Sequence, residues 1–399
     1  MSPSNPPRVS VQTGLERLLT EERQLLKGRR VGLLCNPVSV DRQLRHAADL
    51  LHTDPDWDLV RLFGPEHGVR GAAQDMIAVQ EARDERTNLP VVSLYGTDAE
   101  SLRPTPEQLE GLDVLVCDLQ DIGSRYYTYV WTVAHCLEAA GAAGVEVVVC
   151  DRPNPLGGVS VEGGTVRSGF ESFVGHHPVS NRHGMTLGEL IGLVRNARKL
   201  DGLTVVELRG WRRELLFDDC DLPWVMPSPN MPTLDTALVY PGLCLIEGTE
   251  LSEGRGTTRP FELVGAPYIE PHALATALER QSLPGVAFRP AWFLPQFQKW
   301  AGVQCGGVQL HVTDRRAFLP YLTGVALIAT VRRLYPHDFR WRSRAYEFVT
   351  DKPAIDLLAG NDVLRGLIDD GADLAELRAS WHAEEDDFCA QRAEHLLYA

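Results

Sequence analysis

Short apolar runs recur through the first 150 residues, and each run ends in polar residues, glycine or proline. A helical stretch often follows the run. Strands that are apolar throughout are typical of a parallel sheet, because helices cover both of its faces. The pattern therefore predicts an α/β domain, with strands at Val31–Cys35, Leu59–Phe63, Val91–Tyr95, Val114–Leu119 and Val145–Cys150.

Helices are predicted before, between and after these strands, and two of them carry terminal signals. Thr186 and Glu189 form a Thr-x-x-Glu capping box, and Gly141 and Gly144 bound the end of an earlier helix. One more strand is predicted at Thr204–Leu208. The predicted helices of this part are Gly14–Leu26, Arg42–Leu51, Tyr127–Ala140 and Thr186–Leu200.

A proline-rich stretch at 227–232, Pro-Ser-Pro-Asn-Met-Pro, divides the chain because it leaves no room for a helix. A chain of 399 residues is also too long for one ordinary core. We therefore predict a parallel-sheet domain over 1–232 and a smaller α+β domain over 233–399. The elements predicted in the second part are helices at His272–Gln281, Arg316–Leu334 and Asp373–Tyr398 and a strand near Gly306–Val312.

Charge and composition narrow the partners of the chain. A formal net charge of -15 works against binding to nucleic acid or anionic membranes, which requires clustered Lys and Arg. The segment Met1–Val11 lacks the apolar region of a signal peptide and no run reaches the length of a membrane span, so we expect a cytoplasmic protein. The eight cysteines show neither C-x-x-C nor metal-ligand spacing, so we expect no disulfide and no metal site.

Polar side chains follow several of the predicted strands, and the ends of neighbouring parallel strands converge on one crevice. Glu66 and His67 lie in Gly-Pro-Glu-His-Gly, which suits neither helix nor strand. We expect Glu66 to be the principal catalytic residue and His67 to orient or pair with an acid. The other polar residues at strand ends are Asn36, Asp118, Asp121, Asp151 and Asn154. Asp118 and Asp151 could instead cap the turns that follow them.

Two further segments have compositions that suit a sugar with an acidic substituent. The segment 122–129 combines tyrosines, hydroxyls and a cation, although core packing explains its aromatic residues equally well. The segment 247–260 contains three acids, two arginines and three glycines, and the alternative there is a solvated loop with internal ion pairs. Arginine is the better residue for clamping a carboxylate, because it can bind both oxygens.

Two common nucleotide-binding signals are missing from the sequence. The first predicted strand is followed by Asn-Pro-Val-Ser rather than G-x-G-x-x-G, and no G-x-x-x-x-G-K-[ST] occurs. Both absences weigh against dinucleotide and P-loop nucleotide binding. The nearest approach to a nucleophile elbow, at 158–162, lacks the closing glycine, so a serine hydrolase has no support.

In its motifs the chain resembles a family long catalogued as a domain of unknown function, the exo-β-N-acetylmuramidases of the NamZ type. The motifs occur in order up to residue 260, and the last third of the chain adds none. Each motif alone is weak, but together they are specific. They are Val-Gly-Leu-Leu-Cys-Asn-Pro at 31–37, Phe-Gly-Pro-Glu-His-Gly at 63–68, and the segments 118–129, 151–158, 227–232 and 247–260.

The resemblance implies a Rossmann-like amino-terminal domain, a smaller carboxy-terminal domain and a site in the cleft between them. It also implies hydrolysis of terminal, non-reducing N-acetylmuramic acid from peptidoglycan fragments of the MurNAc-GlcNAc type. Glu66 matches the family glutamate regarded as catalytic. We expect a cofactor-free reaction in which Glu66 protonates the leaving oxygen.

Several roles around Glu66 stay open at this point. Asp118, Asp121 and Glu250 are the alternatives for a second carboxylate. A non-catalytic muropeptide or sugar sensor using the same cleft is the rival function, and an esterase or amidase acting on the substituents is a third.

The substrate-binding residues are expected in the two segments described above and at the strand ends. The lactyl carboxylate of muramic acid needs a cation, which we assign to Arg255 or Arg259, with Arg125 in reserve. The remaining predicted contacts to the sugar are Tyr126, Tyr129, Asn36 and Asn154.

Overall fold

A parallel sheet forms the centre of the amino-terminal part of the chain. The computed structural model describes residues 8–70 and 82–399. Within these ranges the strands of this part are β1 (Arg30–Cys35), β2 (Asp58–Gly64), β3 (Ala82–Arg83), β4 (Pro90–Ser93), β5 (Val114–Asp118), β6 (Glu146–Cys150) and β7 (Leu203–Val206). They form one sheet in the order β3-β4-β2-β1-β5-β6-β7, in which β3 is antiparallel to β4 and the other neighbours are parallel.

The strand order confirms the predicted Rossmann-like fold. β1 lies between β2 and β5, with Leu34 opposite Phe63 on one side and Cys117 on the other. The chain moves outward from β1 in one direction and then returns to its other side, which is the doubly wound arrangement. Ligands bind such sheets at the carboxyl ends of the strands. The turn after β2 lies at that edge.

The helices of this part follow the predicted end signals. Thr186 accepts a hydrogen bond from the Glu189 amide and completes the capping box, and Gly144 ends its helix in the left-handed conformation. The predicted first helix is shorter than expected, because it ends at Leu18 and only a 3₁₀ turn follows. The helices are α1 (Gly14–Leu18), α2 (Ala47–His52), α3 (Pro106–Leu109), α4 (Tyr129–Ala143) and α5 (Leu187–Arg198), with 3₁₀ turns at Arg23–Leu25, Ala99–Leu102 and Phe217–Asp219.

The carboxy-terminal part combines helices with a small antiparallel sheet, which confirms the predicted α+β class. Its strands β8 (Leu263–Ala266), β9 (Val286–Phe293) and β10 (Cys305–Val312) pair in the order β8-β10-β9. Asp373 caps the last helix by accepting from the Glu376 amide at 2.9 Å. The helices are α6 (Leu234–Leu243), α7 (Pro271–Glu279), α8 (Pro320–Leu334), α9 (Ala354–Ala359), α10 (Val363–Asp369) and α11 (Leu374–Ala393), with a 3₁₀ turn at Cys244–Gly248.

One apolar cluster joins the two parts of the chain. It runs from Trp131 and Leu190 in the amino-terminal part to Leu245 and Val325 in the carboxy-terminal part. A continuous apolar interface of this kind holds two domains in a fixed relation. The walls of a cleft between the parts are therefore packed in place. No helix within 8–70 and 82–399 has both the length and the apolar character needed to cross a bilayer.

Candidate active site

The turn after β2 holds Glu66 at the edge of the sheet. His67 and Gly68 both adopt positive φ, at 72° and 78°, and the Gly68 amide donates to the Pro65 carbonyl at 2.9 Å. A Cβ on Gly64 would lie 3.0 Å from the Val69 amide nitrogen, so the chain folds back closely on itself. Glu66 is 6% exposed. The tight turn thus fixes a nearly buried carboxylate at the carboxyl end of the sheet.

Glu66 and His67 line a pocket built from both parts of the chain. The pocket includes about 510 Å³ of space that no atom fills, part of which is open to solvent. Its walls are aromatic and acidic. The lining residues are Glu66, His67, Tyr126, Tyr127, Thr128, Tyr129, Val174, Ser228, Asn230, Met231, Tyr240, Glu247, Arg255, Phe261, Tyr346 and Glu347.

Two further glutamates share this pocket with Glu66. Glu247, which the sequence placed only within the 247–260 segment, accepts from Arg255 and from the Tyr346 hydroxyl, each at 2.7 Å. Glu347 was not predicted. The only signal in the sequence is its position in Tyr-Glu-Phe, where an acid lies between two aromatic residues. Its backbone has a φ of 44°, a strained conformation that often marks functional sites.

Tyrosines form the remaining walls, among them the predicted Tyr126 and Tyr129. The Tyr129 hydroxyl donates to the Pro227 carbonyl at 2.6 Å, and the Asn181 amide donates to the Tyr126 hydroxyl at 2.7 Å. Burial raises the pKa of both phenols above the ordinary value. Both phenols are therefore neutral at any working pH. The ring of Tyr129 packs edge to face against that of Tyr127, with 4.9 Å between the ring centres.

Arg255, a predicted ligand of the lactyl carboxylate, lies at the pocket but is held by acids of its own segment. It is almost buried and donates to Glu247 at 2.7 Å and to Glu253 at 3.1 Å. Its guanidinium also lies 4.9 Å from the centre of the Phe261 ring. Lys299 contacts Glu253 at 2.9 Å as well. Two carboxylates thus balance the charge of Arg255.

A second, larger pocket shares Glu247 and Arg255 with the first. It encloses about 980 Å³, is more open to solvent and contains the predicted Glu250, which lies 3.6 Å from Arg344. The predicted Arg259 lines neither pocket and instead pairs with Glu262 at 3.0 Å. The other residues of the second pocket are Glu253, Gln298, Lys299, Trp300, Arg342 and Arg344.

The remaining predicted acids are not in the pocket that holds Glu66. Asp118 accepts two hydrogen bonds from buried Arg152, at 2.6 and 2.8 Å. Asp121 accepts from the Gly123 amide at 2.6 Å and lies 3.2 Å from His183. These contacts give both acids structural partners that the sequence did not reveal.

The other predicted polar residues do not line this pocket, although the Asn36 side chain hydrogen-bonds Tyr129 in its wall. Arg125 is fully buried and donates to the carbonyls of loop residues 164 and 179 and of residue 358 in α9. Asn36 accepts from the Val38 amide at 3.1 Å, and Asn154 donates to the Met185 carbonyl at 2.9 Å. Asp151 accepts from the Tyr398 hydroxyl at 2.6 Å, which ties the end of the chain to the sheet.

The thiols and metal ligands of the described residues form no further centre. Seven cysteines are buried, Cys389 is exposed, and none is in a disulfide. Burial raises the pKa of Cys35, Cys117 and Cys150 above the ordinary value, so these thiols stay protonated. Within 8–70 and 82–399, no three His, Cys, Asp or Glu side chains are grouped as metal ligands.

The fold and the site together define the class of protein. It has a Rossmann-like domain and a smaller domain, with a pocket between them that is lined by acids and tyrosines. Residues 31–235 match the family described as "Exo-beta-N-acetylmuramidase NamZ, N-terminal", and residues 238–398 match its carboxy-terminal counterpart. The chain therefore belongs to the NamZ exo-β-N-acetylmuramidase family, a family of glycosidases, as its motifs predicted. The predicted domain boundary near residue 232 stays a prediction.

Comparisons with individual proteins agree with this family. The chain is 46% identical over 389 residues to the peptidoglycan β-N-acetylmuramidase NamZ of Bacillus subtilis (strain 168), covering 97% of this chain and 91% of that protein. A crystal structure of a DUF1343 family protein from Bacteroides fragilis NCTC 9343 has a TM-score of 0.88 and 36% identity, covering 98% of this chain and 100% of the other. A second such protein from that organism has a TM-score of 0.78 and 27% identity, covering 98% and 99%.

Proposed function

We propose that this chain is an exo-β-N-acetylmuramidase that removes terminal, non-reducing N-acetylmuramic acid from small peptidoglycan fragments of the MurNAc-GlcNAc type. The observation that carries the proposal is the position of Glu66, a nearly buried carboxylate in a pocket lined by acids and tyrosines. The similarity to a peptidoglycan β-N-acetylmuramidase supports the same reaction.

In the proposed reaction Glu66 is the general acid. Its carboxyl group donates a proton to the glycosidic oxygen as the bond from that oxygen to the anomeric carbon breaks. Water supplies the hydroxyl group that the anomeric carbon gains, and its remaining proton restores the acid. The Thr128 hydroxyl, 3.0 Å from a carboxylate oxygen of Glu66, holds the acid in one orientation. His67 lies on the same turn and lines the same pocket, and we assign to it a hydrogen bond to the substrate.

Glu347 is the proposed second carboxylate. It lines the same pocket as Glu66, and its left-handed backbone is a local strain that the surrounding packing has to maintain. Glu347 accepts a hydrogen bond from the Tyr95 hydroxyl at 3.4 Å, whereas Glu247 pairs with the guanidinium of Arg255 and accepts from the Tyr346 hydroxyl, so we assign Glu247 a different role. We assign to Glu347 the stabilisation of positive charge at the anomeric carbon, or the activation of water, and to Glu247 the fixing of the pocket wall.

The test uses MurNAc-GlcNAc and longer saccharides of alternating MurNAc and GlcNAc with MurNAc at the non-reducing end. Mass spectrometry of the products should show free MurNAc and a remaining saccharide that begins with GlcNAc. Tight binding without any product would favour the sugar sensor. Release of acetate or peptide, with the saccharide intact, would favour an esterase or amidase.

A further inference from the structure

The second pocket contains a cation that no carboxylate of the described residues balances. Arg255 is paired with two glutamates, Lys299 with Glu253, and Arg344 is 75% exposed beside Glu250. Arg342 differs, because no Asp or Glu of the described chain lies within ion-pair distance of it. Its Nη2 donates to the Ala345 carbonyl at 3.2 Å, and its Nε is buried without a hydrogen-bond partner in the described residues.

Arg342 also lies at the border between the two pockets. Its guanidinium is 5.1 Å from the centre of the Tyr346 ring. The same tyrosine lines the first pocket and donates its hydroxyl to Glu247, which both pockets share. A single side chain, that of Tyr346, therefore separates Arg342 from the first pocket.

We propose that Arg342 binds the lactyl carboxylate of the terminal N-acetylmuramic acid and so selects this sugar over N-acetylglucosamine. The proposal rests on the function proposed above. A guanidinium presents its N–H groups in a planar fork that can bind both oxygens of a carboxylate. Arg255 cannot supply this charge as well, because Glu247 and Glu253 already balance it.

The experiment compares three chromogenic substrates: the β-N-acetylmuramide, its neutral lactyl methylamide and the β-N-acetylglucosaminide. In Arg342→Gln, which keeps most of the side-chain stem, kcat/KM for the muramide should fall by about 10- to 100-fold, as expected for the loss of a hydrogen-bonded ion pair. The two neutral substrates should change by less than about 3-fold. Arg342→Lys should lie between wild type and the glutamine variant.

Arg340→Ala is the matched control, because Arg340 lies two residues away and lines neither pocket. Equal losses on charged and neutral substrates in Arg342→Gln would overturn the proposal, since they would indicate only a disturbed Tyr346. Equal rates of wild type on the muramide and its methylamide would overturn it as well. The melting temperature of each variant separates either result from misfolding.

Calorimetric binding of free MurNAc and GlcNAc separates this proposal from the proposed reaction. Wild type should bind MurNAc more tightly, and Arg342→Gln should lose that preference. Carboxylate-dependent binding without turnover would contradict the muramidase reaction and leave the role of Arg342 intact. Turnover of the muramide with no dependence on Arg342 would support the muramidase reaction and contradict the role of Arg342.

Discussion

The hydroxyl of Thr128 donates to the carboxylate of Glu66 at 3.0 Å and joins two distant segments of the chain. Glu66 lies on the turn after β2, and Thr128 immediately precedes α4. Thr128 uses its hydroxyl for this contact and not to cap the helix. The hydrogen bond therefore fixes Glu66 relative to the first turn of α4, where Tyr129 forms part of the pocket wall.

Replacing Thr128 by valine should lower kcat by about 10-fold or more, because a hydrogen bond to a charged group contributes about 1.5–3 kcal/mol. Valine has nearly the same shape, so the fold should be retained. Thr128→Ser keeps the hydroxyl and should stay close to wild type. Steady-state kinetics on the chromogenic muramide would measure both, and equal losses in the two variants would show that the methyl group rather than the hydroxyl matters.

Glu347→Gln should lower kcat by about 10²-fold or more while changing KM little, as expected for a group that acts on the transition state. Glu247→Gln should mainly affect stability, since it weakens the contacts to Arg255 and Tyr346. Kinetics and thermal unfolding of both variants would distinguish these roles. Full activity in Glu347→Gln together with a large loss of kcat in Glu247→Gln would transfer the second-carboxylate role to Glu247.

The sheet and the position of Glu66 could be predicted because both depend on local sequence. Apolar runs specify strands that are buried on both faces, and Gly-Pro-Glu-His-Gly can only form a turn. The helix caps at Thr186 and Asp373 were predictable for the same reason. Strand β8 and helix α6 were not predicted, because their partners β10 and α8 lie farther along the chain. Strand β9 was also missed, although its partner β10 follows it closely.

Glu347 and Arg342 could not be predicted, because their roles depend on packing between distant segments. The left-handed backbone at Glu347 and Phe348 packs against Tyr95, whose ring lies 5.9 Å from that of Phe348. Conversely, Asp118 lies at a strand end, where functional acids are often found, but its partner Arg152 comes 34 residues later. A sequence does not distinguish a buried ion pair from a catalytic acid.

Asp118→Asn should reduce the free energy of unfolding by about 3–5 kcal/mol, because it leaves the buried guanidinium of Arg152 without its counter-ion. The loss should appear in stability rather than in kcat per folded molecule. Denaturant unfolding would measure the loss of stability, and kinetics normalised to the concentration of folded protein would measure kcat. A folded variant with kcat reduced by about 10³-fold would return Asp118 to the list of catalytic acids.

Glu253 should make the protein sensitive to acid. Burial raises its pKa, but Lys299 and Arg255 outweigh burial and lower the pKa to about 2. A lowered folded-state pKa adds stability that is present above the unfolded value, near 4.5, and is lost as the pH falls towards 2. Glu253→Gln should therefore cost about 3 kcal/mol at pH 7.

Denaturant unfolding of wild type and Glu253→Gln at pH 7 and pH 3 measures this difference. The difference in the free energy of unfolding between the two proteins should be larger at pH 7 than at pH 3, because wild type loses part of its ion-pair stability in acid. A gap that is the same at both values would show that Glu253 is not held ionised by Lys299 and Arg255.

The most direct measurement of the central claim is hydrolysis of a chromogenic β-N-acetylmuramide by wild type and Glu66→Gln, with folding of both checked by circular dichroism. Wild type should release the chromophore from the muramide and only weakly from the matching glucosaminide. The folded variant should lose about 10²-fold or more of kcat. Wild-type rates in Glu66→Gln, or no release by a folded wild type, would contradict the account.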